Sequence, residues 1–459
     1  MGRVQRLLVF LVCALASGAI DAQDRSSPRR ADHVVLVSID GLRPEFYLDA
    51  SWPAPMLQQL AAEGARADAV RSIFPSVTYP AHTTIVTGTL PARHGVPYNT
   101  PFEPLGQTAR WYWEADSIRV PTLWDVAGDA GLVTAAVSWP VSAGAAIDYN
   151  VPEIWPLGEG VDRIEFLRRY CVPDGLLAEI EREATGRLDP ATFNIESMTL
   201  DDLLGAAAAH LLETYRPNLL LVHLVSTDHF QHEDGRDSVR VRRSVSTVDR
   251  ALSRIWETAG RAGIRQRTAF IVLGDHGHVD RHTTIAPNRW LVEAGLREST
   301  PDRGRWRATF HTTGASAFLH LADPTDQDAA QLARSALEQL PAEVRRLFTI
   351  VDTDQLRDLG AAPDAAFALA PAPGVDVTSS PDSPAVRGAD GATHGYLPDV
   401  AQVHTGLVAW GAGIRPGAAA AQLHLVDVAP LVAELLGLDL EAVDGVAPPE
   451  FLEPIPPAE

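Results

Sequence analysis

Residues 33–41 read HVVLVSIDG, an apolar run rich in valine that ends in an aspartate and a glycine. A run of this length and composition is typical of a strand that is buried on both faces of a parallel sheet. Three later runs have the same character, and the four predicted strands are His33–Ile39, Asn218–Val225, Thr268–Leu273 and Thr405–Trp410. We expect all four to belong to one mostly parallel sheet.

Helical stretches rich in alanine and leucine lie between these runs, at Pro55–Glu63, Asp201–Thr214, Val241–Arg261 and Ala329–Gln339. Strands that alternate with helices predict an α/β fold, in which a mostly parallel sheet is flanked by helices. Residues 276–350 add a helix-rich portion with a predicted strand at Ser316–Leu321, which we interpret as a smaller inserted cap. Residues 371–393 are rich in proline, glycine, serine and aspartate and are predicted to form a long surface loop.

The composition limits the class of partner. The chain has 459 residues and a formal net charge of −21, and all 38 of its basic residues are arginine, since the sequence contains no lysine. A surface this acidic argues against a nucleic-acid polymer or an anionic membrane as the main partner. A small anionic substrate would have to be attracted by something local and strongly positive, and bound metal ions meet that need.

Residues 1–22 have the features of a signal peptide, because two arginines are followed by an apolar stretch and then by small residues suited to cleavage. The apolar stretch is too short to span a bilayer. We therefore expect an exported protein, periplasmic or secreted, without a transmembrane anchor after cleavage. Residues 23–459 form the predicted globular domain. Cys171 is its only cysteine, so no intrachain disulfide is expected.

Acidic side chains follow three of the four apolar runs, at Asp40, Asp228 and Asp275. In an open parallel sheet, ligands bind beyond the carboxyl ends of the strands. Three carboxylates at that edge would repel one another unless a cation lay between them. Histidines accompany this set at His232, His276 and His394. Carboxylate oxygens and imidazole nitrogens predict a metal site that suits zinc, with manganese or iron as alternatives.

Residues 74–84 read FPSVTYPAHTT, an extended segment that turns into a predicted helix. Pro80 fits the first helical turn, where its missing N–H costs nothing. Thr78 is then expected at the N-cap or just before it, with its hydroxyl beside free backbone N–H groups and the positive end of the helix dipole. Such a position favours an anion and an alkoxide alike. Thr78 is either a simple helix cap or a nucleophile, and the acids and histidines elsewhere in the chain favour the nucleophile.

With these motifs in view, the chain resembles the alkaline phosphatase superfamily, and within it the nucleotide pyrophosphatase/phosphodiesterase family, from Asp40 to about Val446. The resemblance implies an alkaline-phosphatase-like core and a phosphodiesterase or pyrophosphatase with two zinc ions. It implies that Thr78 attacks phosphorus to give a phospho-threonine, which water then hydrolyses, and that Asn99 and Tyr79 bind the substrate. In the family pattern one zinc is held by Asp228, His232 and His394, and the other by Asp40, Thr78, Asp275 and His276.

The resemblance leaves the substrate open. Relatives that hydrolyse nucleotides often carry a tyrosine where this chain has His223, so a preference for nucleotides is not implied. A diester is favoured over a monoester, because residues 138–142 lack the basic side chain that monoesterases use. A phosphomonoesterase, a phosphonate hydrolase and a non-catalytic binder of phosphorylated ligands remain alternatives. A sulfatase is disfavoured, since it would need cysteine or serine in place of Thr78. The oligomeric state is not indicated.

Two further features have alternative interpretations. Residues 110–114 read RWYWE, and Trp111 and Trp113 either line a substrate pocket or pack in the core. His278 lies two residues after a predicted metal ligand. We expect it to be a solvent-facing loop residue, and the alternative is a place beside the metal ligands.

Overall fold

The computed structural model describes residues 29–106, 108–158, 160–299 and 304–454. The signal peptide predicted at 1–22 lies outside these residues. The strands, numbered in chain order, are β1 (His33–Ile39), β2 (Ala65–Arg71), β3 (Thr134–Val137), β4 (Tyr149–Val151), β5 (Leu219–Leu224), β6 (Thr268–Leu273), β7 (Val279–Asp280), β8 (Thr283–Ile285), β9 (Ala308–Thr313), β10 (Ser316–Leu321), β11 (Phe348–Val351), β12 (Phe367–Pro371), β13 (Val375–Val377), β14 (Val386–Gly388), β15 (Ala392–Thr393), β16 (Thr405–Gly411), β17 (Ala419–Ala420) and β18 (Leu423–His424). The α-helices are α1 (Glu45–Leu48), α2 (Pro55–Glu63), α3 (Thr78–Thr87), α4 (Pro91–His94), α5 (Leu123–Asp129), α6 (Arg163–Arg168), α7 (Leu176–Ile180), α8 (Leu200–Tyr215), α9 (Ser226–Asp234), α10 (Val239–Arg261), α11 (Pro287–Glu293), α12 (Gln327–Glu338), α13 (Ala342–Arg345), α14 (Thr353–Asp358) and α15 (Val428–Leu436).

The largest sheet has the strand order β17-β2-β16-β6-β1-β5-β3-β4, and β18 also pairs with β2. β1 lies at its centre and runs parallel to both neighbours, β5 and β6. β16 runs antiparallel to β6 and to β2, so the prediction that residues 405–410 form a parallel strand is wrong. The sequence of a strand that is buried on both faces does not indicate whether it runs parallel or antiparallel to its neighbours, because apolar side chains cover both faces in either case.

Side chains of β1 alternate between two hydrophobic layers, as the two-residue period of a strand requires. Val35 and Val37 pack on one face of the sheet, in the layer that contains side chains of α8 and α10. Val34 and Leu36 pack on the other face, with side chains of α3, α5 and α15. Each such side chain contributes about 1.5–3 kcal/mol when fully buried. This sandwich of helices around a mostly parallel sheet is the predicted α/β architecture.

The longest helix, α10, shows how the sequence selects its element. Ser238 caps it, and the Ser238 hydroxyl oxygen accepts a hydrogen bond from the backbone N–H of Val241 at 3.2 Å. Buried residues then recur every three or four positions, at Val241, Val245, Val248, Leu252, Ile255 and Ala259. This spacing forms one apolar face that packs on the sheet. Among the described helices, none is long and apolar enough to cross a lipid bilayer.

Residues 279–393 carry three smaller sheets beside the main one. Strands β9 to β12 form an antiparallel sheet in the order β11-β12-β10-β9, and β10 matches the predicted strand Ser316–Leu321. The strands β13, β8 and β14 form a second sheet, and β15 pairs with β7. The segment predicted as a helix-rich cap at 276–350 therefore contains several strands, and its four-stranded sheet continues to Pro371. The domain boundary of the cap stays a prediction.

Candidate active site

Three buried carboxylates meet at the carboxyl edge of the main sheet. Asp40 directly follows β1, and Asp275 lies two residues beyond β6, the parallel neighbour of β1. Asp228 lies in the first turn of α9, which begins just after β5, the other neighbour of β1. Because adjacent parallel strands end at the same edge, their carboxylates converge. The structure thus brings together the three aspartates singled out in the sequence.

The first cluster contains Asp40, Asp275 and His276, whose ligand atoms all lie within 4.8 Å of one another. Nε2 of His276 lies 3.1 Å from Oδ2 of Asp275, 3.5 Å from Oδ1 of Asp40 and 3.4 Å from Oγ1 of Thr78. The backbone N–H groups of Gly41 and His276 donate to Oδ1 of Asp275 at 3.1 and 3.0 Å, which leaves Oδ2 facing the cluster. The four residues predicted for one metal are therefore neighbours.

The second cluster contains Asp228, His276, His278 and His394, again with ligand atoms within 4.8 Å. Oδ1 of Asp228 lies 3.3 Å from Nε2 of His232 and 3.6 Å from Nε2 of His394. Nδ1 of His394 donates to the carbonyl of Ser76, and Nδ1 of His232 donates to the carbonyl of Ala392, each at 2.9 Å. These bonds fix the tautomers so that each ring presents Nε2 towards Asp228.

His278 is fully buried, so its expected place on a solvent-facing loop is wrong. Its Nε2 lies 3.0 Å from Oδ1 of Asp228, which agrees with the alternative place beside the metal ligands. The backbone N–H of Gly277 donates to the carbonyl of Val403 at 3.0 Å and keeps this segment inside the protein. Gly41 has a positive φ of 69°, and a Cβ there would lie 2.7 Å from Cε1 of His278. Glycine after Asp40 thus leaves room for this imidazole.

The donor atoms of these clusters fit divalent metal. One oxygen each of Asp40, Asp228 and Asp275 is buried and has no hydrogen-bond partner in the part of the chain that the structure describes. Buried carboxylate oxygens without a partner are costly and call for a specific compensating group. Each of these oxygens faces imidazole nitrogens across a gap of 3.0–3.6 Å. A cation bound between them would satisfy the oxygens and nitrogens together.

The pKa directions reflect the same crowding. Burial, together with Asp275 and Asp228, raises the pKa of Asp40 well above its ordinary value, and burial raises the pKa of Asp275 to about 6. Burial lowers the pKa of His276 and of His394 well below that of a free imidazole. The two imidazole rings stack with centroids 3.6 Å apart and planes 9° from parallel, an arrangement suited to neutral rings. Without a cation, burial thus favours the neutral forms of these four residues. In Asp228, by contrast, His232 and His278 outweigh burial and lower the pKa well below its ordinary value.

Thr78 is the first residue of α3, and extended Val77 occupies the N-cap. The expectation that Thr78 lies at or before the N-cap is therefore off by one position. Its side chain is almost fully buried, with 7% of the residue exposed, and its hydroxyl points towards His276. Oδ1 of Asn99 accepts a hydrogen bond from the backbone N–H of Tyr79 at 2.9 Å. The amide NH₂ of Asn99 thus remains available as a donor beside Thr78.

Sequence reasoning missed a buried chain of polar side chains behind Asp40. Nε2 of His223 lies 3.2 Å from Oδ2 of Asp40, and its Nδ1 lies 2.7 Å from Oε2 of Glu153. The Tyr79 hydroxyl donates to the other oxygen of Glu153 at 3.0 Å. Burial lowers the pKa of His223, but Glu153 and Asp40 outweigh burial and raise this pKa well above its ordinary value. The signal in the sequence was a histidine inside the apolar run of β5.

A cavity of about 130 Å³ opens beside Thr78, Asp40 and Asp228. Trp111 lines this cavity, whereas Trp113 is buried in the core. Of the two interpretations of residues 110–114, a substrate pocket therefore fits Trp111 and core packing fits Trp113. Most of the other side chains that line the cavity come from residues 151–204, a segment that the sequence analysis did not connect with the site. Arg163, at the start of α6, is also among the lining residues.

Its fold and the geometry of this site define the chain as an α/β protein with two candidate metal clusters at the carboxyl edge of its main sheet. A family model described as type I phosphodiesterase / nucleotide pyrophosphatase matches residues 34–397. The chain belongs to this family, as its motifs predicted.

Known relatives are similar over part of their length. Member 3 of the ectonucleotide pyrophosphatase/phosphodiesterase family from Mus musculus is 26% identical over 256 residues, which is 53% of this chain and 24% of the relative. Member 7 from Homo sapiens is 26% identical over 282 residues, 59% of this chain and 53% of the relative. An uncharacterised pyrophosphatase/phosphodiesterase of Schizosaccharomyces pombe is 28% identical over 247 residues, 53% of this chain and 44% of the relative. This chain thus spans about a quarter to a half of these proteins.

Solved structures show the same fold. Human ectonucleotide pyrophosphatase/phosphodiesterase 5 superposes with a TM-score of 0.61 at 19% sequence identity, covering 90% of this chain and 97% of that one. An inactive form of the murine protein in complex with AMP gives the same TM-score, identity and coverage. The predicted alkaline-phosphatase-like α/β fold is confirmed.

Proposed function

We propose that the chain is a two-zinc phosphoric ester hydrolase that cleaves phosphodiester or pyrophosphate bonds through a phospho-threonine intermediate. The observation that carries this proposal is that two adjacent clusters with unpaired carboxylate oxygens contain five of the seven predicted ligands, namely Asp40, Asp228, Asp275, His276 and His394. The other two lie beside them, Thr78 3.4 Å from His276 and His232 3.3 Å from Asp228. Membership of the family supports the reaction class.

In this proposal Asp228, His232 and His394 would hold one zinc, and Asp40, Thr78, Asp275 and His276 would hold the other. Two zinc ions at such sites would supply positive charge for the attacking and leaving oxygens of an in-line displacement. Nε2 of His278, 3.0 Å from Oδ1 of Asp228, would face the same ion.

The reacting group of the chain is the Thr78 hydroxyl. Its oxygen loses the proton to solvent and bonds to phosphorus, while the bond from phosphorus to the leaving oxygen breaks and that oxygen takes a proton from water. A second water then attacks phosphorus, the bond to Thr78 breaks, and the hydroxyl is restored. The NH₂ group of Asn99 donates to a phosphoryl oxygen, since Oδ1 of Asn99 is held by the backbone N–H of Tyr79. Tyr79 forms part of the wall beside the substrate.

A phosphomonoesterase or phosphonate hydrolase is the second candidate, and Arg163 is the observation that favours it. Residues 138–142 lack a basic side chain, but Arg163 reaches the same cavity from α6. An arginine there is able to meet the second negative charge of a monoester. A non-catalytic binder of phosphorylated ligands would keep the metals and show no turnover.

The test uses the purified protein with bis-p-nitrophenyl phosphate as the substrate. We expect about two zinc ions per chain by elemental analysis, loss of turnover on chelation, and recovery when zinc is restored. Full activity with one metal or none would contradict the two-metal proposal. Metal-loaded protein that binds phosphate without turning over any ester would identify a binder.

We also propose that the protein is exported, periplasmic or secreted, and acts on small-molecule phosphate esters rather than on nucleic-acid polymers. Residues 1–22 and the net charge of −21 support these two statements. Sequencing the N-terminus of the protein recovered from the periplasm or the medium would test the first. Incubation with DNA and RNA oligomers would test the second, and rapid cleavage of either polymer would contradict it.

A further inference from the structure

The cavity beside Thr78 is built largely by one segment of the chain. β4 ends at Val151 and α8 begins at Leu200, and the connection between them folds over the catalytic edge of the sheet. This segment, together with the first turns of α8, supplies most of the side chains that line the cavity. Asp40, Thr78 and Asp228 line the same space, so whatever occupies it lies next to the reacting phosphorus.

The floor of this cavity is aliphatic. Val151, Leu167, Leu200 and Leu204 line it and are buried, each with 7% or less of the residue exposed. Side chains packed this way present methyl and methylene groups to the cavity, and they gain stability from an apolar occupant that excludes water.

The rim of the cavity is aromatic. Trp111, Trp155 and Phe193 line it and are half-buried, and the rings of Trp111 and Trp155 meet edge to face with centroids 5.1 Å apart. Ile195 also lines the cavity, and 37% of this residue is exposed to solvent. An exposed isoleucine beside aromatic rings extends the apolar surface from the floor to the outside of the protein.

Several polar side chains in the wall are already engaged with other parts of the protein. Glu153 accepts the Tyr79 hydroxyl and contacts His223. The NH₂ group of Asn194 donates to the carbonyls of Pro190 and Ala191, and its oxygen accepts the backbone N–H of Glu196. A nucleobase brings several polar atoms that need partners, and these groups have little capacity left to provide them.

Like the hydroxyl of Ser138, the side chain of Arg163 is an exception among the polar wall residues. It is half-buried, and within the described ranges no hydrogen bond or ion pair is formed by its guanidinium. Burial lowers its pKa, and the negative charge of Glu153 opposes that shift. A single cation at the wall does not change the apolar character of the floor, because the long side chain of arginine also packs its methylene groups.

We propose that this cavity is a substrate subsite for an apolar substituent of the phosphate ester, a hydrocarbon chain rather than a nucleoside. The inference rests on the proposed hydrolase function, and it names the substrate class. A hydrocarbon chain that enters the cavity leaves water and contacts the aliphatic side chains of the floor. Each methylene buried there increases binding about fourfold, which corresponds to about 0.8 kcal/mol. Binding therefore rises with chain length until the cavity is filled.

The test measures inhibition of bis-p-nitrophenyl phosphate hydrolysis by ethyl, butyl, hexyl and octyl phosphate below their micellar concentrations. We expect the inhibition constant to fall by about fourfold for each added methylene before it levels off. Calorimetric titration of the zinc-loaded protein with the same compounds gives binding without turnover. Adenosine and thymidine monophosphate serve as the nucleotide comparison, and we expect both to bind more weakly than octyl phosphate.

Two variants connect the effect with the cavity. Ile195→Glu places a charge at the rim and should flatten the dependence on chain length. Leu332→Glu is the matched control, because Leu332 is 50% exposed on α12 and does not line the cavity, and it should leave the dependence unchanged. Leu204→Phe fills part of the floor and should shorten the chain length at which affinity levels off.

The outcomes separate this inference from the proposed function. No turnover of any phosphate ester by the zinc-loaded protein would overturn the hydrolase proposal. Turnover with equal inhibition by ethyl and octyl phosphate would leave the hydrolase intact and overturn the apolar subsite. Tighter binding of a nucleoside monophosphate than of octyl phosphate would assign the cavity to nucleosides. Wild-type chain-length profiles in both Ile195→Glu and Leu204→Phe would also overturn the subsite.

Discussion

Replacing His223 by glutamine should weaken zinc binding, although His223 is not itself a predicted metal ligand. The imidazole bridges Asp40 and Glu153, with contacts of 3.2 and 2.7 Å, and it is fully buried. Glutamine has one amide group and is unable to reach both carboxylates with the same geometry. Hydrogen bonds to charged partners are each worth about 1.5–3 kcal/mol. Loss of such an orienting contact typically lowers metal affinity about 10- to 100-fold, or about 1.4–2.8 kcal/mol.

The assay is a zinc titration of the metal-free variant in competition with a chromogenic chelator. His94→Gln is the matched control, since His94 is equally buried but pairs with Thr84, its Nε2 lying 3.1 Å from the Thr84 hydroxyl. We expect the control to lose stability while keeping wild-type zinc affinity. The reasoning would be refuted by a His223→Gln protein whose zinc affinity matches that of the wild type. It would equally be refuted if His94→Gln lost as much affinity.

Thr78→Ala should lower the turnover of an aryl phosphodiester by several orders of magnitude while most of the zinc stays bound, and Thr78→Ser should keep measurable activity. A near wild-type rate for Thr78→Ala would contradict the phospho-threonine intermediate. Zinc affinity should rise as the pH is raised through about 6, because burial raises the pKa of Asp275 to about 6 and the carboxyl must lose its proton to bind metal. For the metal-free protein the contribution of Asp275 has the opposite sign: between the ordinary pKa of about 4 and about 6, the native carboxyl holds a proton that the unfolded chain has released, so this contribution to stability falls as the pH rises through this window. The lowered pKa values of His276 and His394 act in the other direction, so thermal unfolding of Asp275→Asn should show stability rising more steeply with pH than that of the wild type. Cys171 should resist a thiol reagent at mildly alkaline pH in the native protein and react after denaturation, because burial raises its pKa to about 12; fast labelling of the native protein would contradict its burial. Diesters should be preferred to monoesters, because two zinc ions (+4), three aspartates (−3) and the Thr78 alkoxide (−1) sum to zero. Among the described residues that line the cavity, only Arg163 is basic and able to meet a second substrate charge. Arg163→Met should therefore lower kcat/KM for p-nitrophenyl phosphate more than for bis-p-nitrophenyl phosphate, and a wild-type preference for the monoester would contradict the assignment.

The positions of the carboxylates could be predicted from the sequence because a single physical rule governs them. A strand buried on both faces must be apolar along its length, so the first charged residue after it marks the edge of the sheet. Asp40 and Asp275 obey this rule directly, each within two residues of a strand end. Asp228 lies in the first turn of the next helix and obeys it almost as well.

Other features depend on tertiary contacts that no local pattern contains. The direction of β16 is set by its pairing with β2 and β6, and either direction buries the same side chains. His223 looks like an interruption of an apolar strand until Glu153, 70 residues away in sequence, is placed against it. The apolar cavity forms only when the segment after β4 folds over the strand ends. The spacing of its leucines in the sequence does not distinguish residues that line a cavity from residues of an ordinary hydrophobic core.

His394 reaches the site from the segment that precedes the reversed strand β16, and its Nδ1 is held by the carbonyl of Ser76, 318 residues earlier in the chain. A polypeptide is synthesised from its N-terminus, so the second cluster lacks this side chain until most of the chain has emerged. We therefore expect the proposed metal ions to bind late in folding, after the C-terminal strands have docked. An ion that bound the native state more tightly than a truncated or partly folded chain would stabilise completed molecules selectively.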